Sequence, residues 1–413
     1  MLRVAMIVWN DFRNDARVLK EAQTLQAAGY KVKVFALHTP GLTRQNECLP
    51  DGIEVCRVAK SPLWKFRTQS VDADQQSASV APGQIRKLSA ARQLLRLCAR
   101  AWTHSMLLVR MVHYKADIVH SHDVNTLPTG WLASRLSRSR LVYDAHEIST
   151  SREGYAGLRS LVYAVEKRLM PVADGVVTTT DARAKYFARA YGIARPIVLQ
   201  NRPRWTEGTK SNRIRENLCL SEAWPIIIYQ GGLQQGRGLE KLIRTVRHVP
   251  NAYFVLIGGG RLAPVLSKLS RDLDLQDRVH FIPTVPLADL PDFTASADIG
   301  VQPIENTCLN HYTTDSNKLF EYLIAGLPVV ATDFPEIRRI VRSRKVGILV
   351  PSNDSETLAT ALNRLIVDIT LRETYAHNAR ITAKLLNWEE QESRLTDLYS
   401  QINAKKYFNQ HSA

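Results

Sequence analysis

Two Rossmann-like, doubly wound α/β domains facing each other across a cleft are predicted for this chain, and three observations carry the prediction. Apolar strand-like runs alternate with amphipathic segments along most of the sequence. A polar, proline-containing stretch, Asn201–Ala223, divides the alternation into two sets. Glycine-rich turns follow two apolar runs of the second set. At 413 residues the chain has room for two cores of ordinary size.

The first set opens with a strand at Leu2–Val8 and a helix at Asp15–Ala28 bearing Val18, Leu19, Ala22 and Leu25. Gly29 stops that helix, and a second strand follows at Lys31–Leu37. This is a βαβ unit, right-handed by the general rule, and it starts a parallel sheet. Further strands are expected at Ile53–Val58, Ile118–His120, Leu141–Tyr143, Gly175–Thr179 and Ile197–Leu199. The second set has strands at Ile226–Tyr229, Tyr253–Ile257, Val279–Ile282, Ile299–Pro303, Pro328–Thr332 and Gly347–Val350. Its expected helices are Leu239–Arg247, Ala263–Leu273, Asn317–Ala325 and Glu356–Leu365. The expected organisation is a first domain at 1–200, a linker at 201–223 and a second domain at 224–386. Strand C-termini line the ligand crevice in such folds, which suits an enzyme using a phosphate-bearing co-substrate.

Composition narrows the class. Hydrophobic residues make up 45% and charged residues 23%, a globular balance. No run reaches the ~18 apolar residues of a membrane span. The N-terminus is not expected to be a signal peptide, because Asp11, Arg13 and Asp15 follow its short apolar run at once. Five cysteines without a C-x-x-C pair read as reduced thiols, with neither a disulfide frame nor a zinc site. The excess of 55 Lys and Arg over 39 Asp and Glu, a formal +16, asks for an anionic partner.

Three segments carry candidate chemistry. In Tyr229-Gln230-Gly231-Gly232-Leu233-Gln234-Gln235-Gly236-Arg237-Gly238-Leu239 a strand runs through four glycines and an arginine into a helix. Gly231 and Gly232 let backbone approach a diphosphate, and Arg237 can clamp its oxygens. Neither a Walker motif nor G-x-G-x-x-G is present. A second turn, Gly258-Gly259-Gly260-Arg261, reads as a crevice wall. In the third, Asp315–Thr332, a polar loop opens a helix that Gly326 ends before a buried strand. N–H groups at Ser316–Lys318 can seat a phosphate with Lys318 as counter-ion. Glu321 shares a helix face with Asn317 and Lys318 and can accept ribose hydroxyls. A capped core helix with a solvated Glu321 is the plainer alternative.

The run Lys318-Leu319-Phe320-Glu321-Tyr322-Leu323-x-Ala325-Gly326-x-Pro328-Val329-Val330 resembles the signature of the GT-B, family 4 glycosyltransferases. Gly231–Gly238 is similar to that family's first C-terminal-domain loop, and Val279–Pro303 to its base-binding stretch. Asp15-x-Arg17-Val18, His120-x-His122-Asp123 and Asp144-Ala145-His146-Glu147 are similar to its N-terminal segments. Asn387-Trp388-Glu389-Glu390 resembles the start of its last helix, which implies a helix at 387–413 crossing back to an acceptor-binding first domain.

The resemblance implies transfer of a sugar from a UDP- or GDP-linked donor to a glycan or lipid-linked acceptor, with retention of configuration. Glu321 would hold the ribose, Arg237 the diphosphate, and the backbone of Ser316, Asn317, Lys318 and Leu319 the distal phosphate. His146 would lie beside the donor sugar. The expected catalytic residues are His146, Arg237 and Lys318, neutralising and positioning the leaving group, with no carboxylate nucleophile, no cofactor and no metal required. His120, His122, Asp123 and Asp144 read as a hydrogen-bonded cluster in preference to a metal site. Two positions depart from the family pattern. Many members carry paired glutamates with seven residues between them, but Thr313 stands eight before Glu321, so the donor-sugar contact either comes from Asp315 or Glu305 or is absent. Gly232 stands where the family's usual loop arginine would be.

Much of the positive charge falls in Ile85–Lys115, where Arg86, Lys87, Arg92, Arg96, Arg100, Arg110 and Lys115 interleave with leucines and no acid. With Trp64-Lys65-Phe66-Arg67 this predicts contact with an anionic membrane surface. The chain would then be cytoplasmic and peripheral on the inner face, as befits cell-surface polysaccharide or lipid-linked glycan synthesis. A nucleic-acid partner is not expected, since no recognition helix, RRM or OB pattern is present. The rival readings are a sugar-nucleotide epimerase or phosphorylase-like enzyme, and a catalytically inactive sugar-nucleotide-binding partner.

Overall fold

A computed structural model describes residues 1–61 and 90–411. The Trp64–Arg67 cluster and Arg86 and Lys87 of the basic stretch lie outside the described residues.

The chain divides into two compact units, Met1–Gln200 with Gln391–Ala413, and Asn201–Glu390. The first holds an eight-stranded sheet: β1 (Arg3–Ile7), β2 (Lys31–His38), β3 (Asn46–Cys48), β4 (Glu54–Ala59), β5 (Ile118–His122), β6 (Arg140–Ala145), β7 (Gly175–Thr178) and β8 (Ile197–Val198). Their order is β3-β4-β2-β1-β5-β6-β7-β8, parallel except for β3 against β4. That antiparallel edge was not expected, because three residues carry too little periodicity to read. The first helix, Ala16–Ala27, begins where Asp15 accepts the Val18 N–H at 3.2 Å, so local capping sets its start.

The second unit has β9 (Ile226–Gln230), β10 (Tyr253–Ile257), β11 (Val279–Ile282), β12 (Ile299–Gln302), β13 (Val329–Thr332) and β14 (Gly347–Val350). All are parallel, in the order β11-β10-β9-β12-β13-β14. This is the 3-2-1-4-5-6 doubly wound order. Period-two alternation splits β9 between two cores: Ile226 and Ile228 pack on one face, Ile227 and Tyr229 on the other. Each side chain so buried contributes roughly 1.5–3 kcal/mol. In both sheets the strand order reverses beside the first strand of the set, between β1 and β5 and between β9 and β12. Ligand sites form outside the strand C-termini at such switch points.

Two boundaries differ from the sequence reading. Residues 201–223, expected as a linker, belong to the second unit, where a short helix, Arg213–Leu218, buries Ile214 in the core. Trp388 is fully buried in the same unit, its N–H on the Pro203 carbonyl at 2.9 Å. The last helix, expected from 387, runs Glu392–His411 and packs in the first unit through Leu395, Tyr399 and Ile402.

The described part of the basic stretch is one helix, Ala90–Tyr114. Thr103, Leu107 and Met111 bury its second half, whereas Leu94, Leu95 and Leu97 are exposed. Among the described residues no helix is long and apolar enough to cross a membrane.

Candidate active-site residues

In the second unit the chemistry gathers at the C-terminal end of β9. Gln230, its last residue, is buried, and no local pattern in the sequence marks it. Its amide bridges two elements: Nε2 donates to Glu321 Oε2, and Oε1 accepts from Thr294 Oγ1 at 2.8 Å. Glu321 lies on the helix Asn317–Ile324, so the bridge fixes that carboxylate beside the strand end. On the same helix Tyr322 donates to the Ile228 carbonyl at 3.1 Å, pinning the helix to the sheet.

Lys318, one turn before Tyr322, points at the first glycine loop. Its Nζ lies 3.3 Å from Tyr229 Oη and 4.5 Å from the centre of that ring. A Cβ on Gly231 would stand 3.4 Å from this ammonium. The amine is buried, and burial, reinforced by the Arg237 guanidinium, pulls it down to about 7. Here the cation is costly and has no buried carboxylate bonded to it, a state that an incoming anion relieves. Gly231, Arg237, Lys318 and Glu321 are therefore brought together, from segments about ninety residues apart.

Ser316 precedes the helix with φ +50°, a conformation that few non-glycine residues hold. The first N–H groups of a helix lack intrahelical partners, but here Leu319 donates to the Ser316 carbonyl at 3.2 Å and buries its side chain in the core. Asn317 is exposed. Thr313, at the place of the family's first glutamate, is buried and donates to the Leu309 carbonyl at 2.7 Å. Of the two substitutes, Asp315 is buried one residue before Ser316, and the Glu305 N–H bonds the Gly236 carbonyl at 2.9 Å.

The second glycine turn braces the first. Leu233 N–H donates to Gly259 O at 2.9 Å, Gly231 N–H to Ile257 O at 2.9 Å, and Leu262 N–H to Leu233 O at 3.0 Å. Gly258 and Gly260 are required by this backbone contact, since a Cβ on either would stand 2.2 Å from the Gly231 or Leu233 carbonyl oxygen. Gly232 is exposed, and a side chain there would meet only Gln234.

In the first unit a polar cluster fills the switch point of the sheet. Arg17 grips Asp144 with Nε at 2.8 Å and Nη2 at 2.9 Å, and gives Nη1 to the Leu199 carbonyl at 2.6 Å. Glu21, one turn on, lies 3.1 Å from Arg17 Nε. His146 sets Nε2 2.9 Å from Asp144 Oδ2 and Nδ1 3.8 Å from Asp123 Oδ2. Its carbonyl accepts from Arg183 at 2.6 Å. Burial alone would lower His146, but Asp144 and then Asp123 outweigh it and push the imidazole up to about 9. Stacked His120 and His122 are driven the other way by burial, and Tyr399 contacts His120 Nδ1 at 2.9 Å.

Donor atoms of Glu21, His120, His122 and Asp144 lie within 4.8 Å of one another. Distance alone would admit a divalent ion, but the Arg17 guanidinium already occupies both Asp144 oxygens and abuts Glu21. The arginine stands where the ion's charge would be needed. Arg17, Asp144 and His146 lie in motif-like segments of the sequence, whereas nothing local marks Glu21, which sits among the polar residues of an amphipathic helix.

Residues 15–201 match the family model described as glycosyl transferase 4-like domain, and residues 224–368 the one described as glycosyl transferases group 1. D-inositol 3-phosphate glycosyltransferase of Xylanimonas cellulosilytica is 24% identical over 411 residues, covering 94% of this chain and 91% of that protein. Sucrose-phosphate synthase from Thermosynechococcus elongatus superposes with a TM-score of 0.78 at 19% identity, covering 98% of this chain and 100% of that one. HepE of Anabaena, solved in complex with UDP-glucose, gives 0.72 at 18% identity, covering 97% and 100%. With both domains matched and both sheets in the doubly wound order, the chain belongs to the GT-B glycosyltransferases of the family 4 type.

Proposed function

We propose that this glycosyltransferase transfers a hexosyl or N-acetylhexosaminyl group from a UDP- or GDP-linked donor to a glycan or lipid-linked acceptor, with retention of configuration. The observation that carries the reading is Lys318. A buried ammonium stripped of water, aimed at Gly231 beside Arg237 and one helical turn from Glu321, is a seat prepared for a diphosphate and its ribose. The complexes of HepE with UDP and UDP-glucose support the nucleotide part of this reading.

The work of the residues is to hold and neutralise the leaving group. Arg237 and Lys318 take the diphosphate charge, the N–H groups at Ser316–Lys318 take the distal phosphate, and Glu321 takes the ribose. His146 contacts the donor sugar. The leaving diphosphate itself accepts the acceptor's proton, so the reaction needs neither a carboxylate nucleophile nor a metal. Titration of the protein with UDP, GDP and ADP and their common sugars, followed by thermal shift, tests this. One diphosphonucleoside is expected to raise the melting temperature, with the rise lost in Glu321→Ala. A flat response to every nucleotide would remove the donor assignment.

The helix Ala90–Tyr114 makes the membrane contact in this reading. Leu94, Leu95 and Leu97 are exposed on the same half of the helix as Arg92, Arg96 and Arg100, and no acid lies among them. Vesicles containing a third phosphatidylglycerol are expected to pellet the protein, and Leu94→Ser, Leu95→Ser and Leu97→Ser together to leave it in the supernatant. Equal pelleting of both forms would move the contact elsewhere. Such a location fits cell-surface polysaccharide or lipid-linked glycan synthesis.

A further inference from the structure

The polar cluster of the first unit is more than a means of burying a motif. We propose that Asp144 is the positioning residue for His146, and that Arg17 together with a proton-bearing Glu21 keeps Asp144 ionised, so that His146 stands at the strand end as an imidazolium. What that cation does for the sugar-phosphate rests on the donor-site role given to His146 above; the protonation pattern itself does not.

Both ring nitrogens of His146 face carboxylates: Nε2 is hydrogen-bonded to Asp144 at 2.9 Å, with His122 Nδ1 3.4 Å away, and Nδ1 lies 3.8 Å from Asp123, beyond a hydrogen bond but near enough for that charge to favour the imidazolium. Asp144 holds its charge because Arg17 meets both of its oxygens; burial opposes ionisation, but Arg17 and then His146 keep the carboxyl well below its ordinary range. Glu21 is the remaining acid. It is fully buried against Asp144, neither of its oxygens accepts a hydrogen bond, and the guanidinium beside it is already committed. Burial and the Asp144 charge drive it well above the carboxylate range, against the pull of Arg17. A neutral Glu21 can donate to Asp144, whereas an ionised one would repel it.

Charged and titratable groups face the cluster from several elements, including Arg183, whose Nη1 donates to the His146 carbonyl at 2.6 Å. Arg17, Glu21 and the more distant Asp15 come from the first helix and its cap; His120, His122 and Asp123 from β5 and its end; and Asp144 and His146 from β6 and its end. Arg152 lies 3.2 Å from Asp123, and Tyr399 reaches His120 from the last helix. His120 and His122 are neutral because burial disfavours their charge, so His146 alone of the three carries it.

The experiment is a pH titration of full-length protein carrying ¹³C-histidine, with His146→Gln to assign the resonance. In the unsubstituted protein His146 is expected to stay charged until about pH 9. Asp144→Asn is expected to lower its proton affinity about 100-fold or more, and to shift the alkaline limb of the transfer rate down with it. Glu21→Gln, an isostere of the neutral acid, is expected to leave the His146 titration and the melting temperature at pH 7 unchanged, which keeps the test available should Asp144→Asn fail to fold. His146 titrating near 6.5, or Glu21→Gln melting far below the parent, would overturn the proposal. So would zinc in the purified protein that Glu21→Gln loses. If the titration behaves as expected but His146→Gln turns over normally, the donor-site role of His146 fails while the protonation pattern stands.

Discussion

Lys318→Met is expected to lower the transfer rate by about 10²–10³-fold, the usual cost of removing one charged donor from a developing anion. Methionine matches the length of the lysine stem and suits its buried setting, so the fold should survive and the loss should fall on catalysis. The same residue predicts a pH signature. Its amine sits at about 7 in the ligand-free protein because burial and Arg237 disfavour the charge. A bound diphosphate favours the charge, so nucleotide binding should take up a proton. Affinity should then fall with rising pH above about 7, by up to about tenfold per pH unit, and the Met variant should lose this dependence. Calorimetry in buffers of different ionisation enthalpy reads the proton directly; equal heats in all of them would take Lys318 off the diphosphate. Linkage also sets a sign for the free protein. Between about 7 and 10.5 the unfolded chain holds a proton on this lysine that the folded one does not. The contribution of Lys318 to stability therefore rises with pH across that window.

Gly238→Ala is expected to cost about 3–5 kcal/mol, among the largest effects of a single methyl group. Gly238 holds φ +71°, and a Cβ there would stand 1.8 Å from the Pro303 carbonyl oxygen. Backbone occupies that space, so no rotamer change can make room. Either the first loop or the end of β12 must move, and the Arg237 side chain moves with it. Thermal unfolding should drop by about 10 °C, with nucleotide stabilisation lost as well. Gly232→Ala is the control: its Cβ would meet only the Gln234 side chain at 3.5 Å, and the change should stay within about 0.5 kcal/mol. Equal tolerance of both substitutions would show that the loop is not braced as described.

The contrast between these glycines shows how much was legible beforehand. Four glycines in one turn announce backbone in special conformations, and the strand before and the helix after them place the turn at the end of a sheet. Nothing local says which glycine faces a ligand and which faces another chain segment. Gly238 is required by Pro303 and Gly258 by the Gly231 carbonyl, and both partners arrive from elsewhere in the chain. Helices were less readable than strands in places. No local pattern marks Ile369–Ala383 as a helix, since its apolar residues make no clear stripe, although Ala379 and Ala383 reach the core.

The two doubly wound domains were legible in the sequence, and the glycine loop with Arg237, the run holding Lys318 and Glu321, and the segment holding His146 were legible there as candidates for the site. Strand alternation, helix caps and glycine turns are written in neighbouring residues, and hydrophobic burial reads them directly. Packing alone brings Gln230 between Glu321 and Thr294, sets Lys318 over Tyr229, and commits Arg17 to Asp144, 127 residues away. Polar pairs of that kind have no period. A buried charge takes whichever partner the packed sheets bring within about 3 Å, and sequence distance places no limit on that choice.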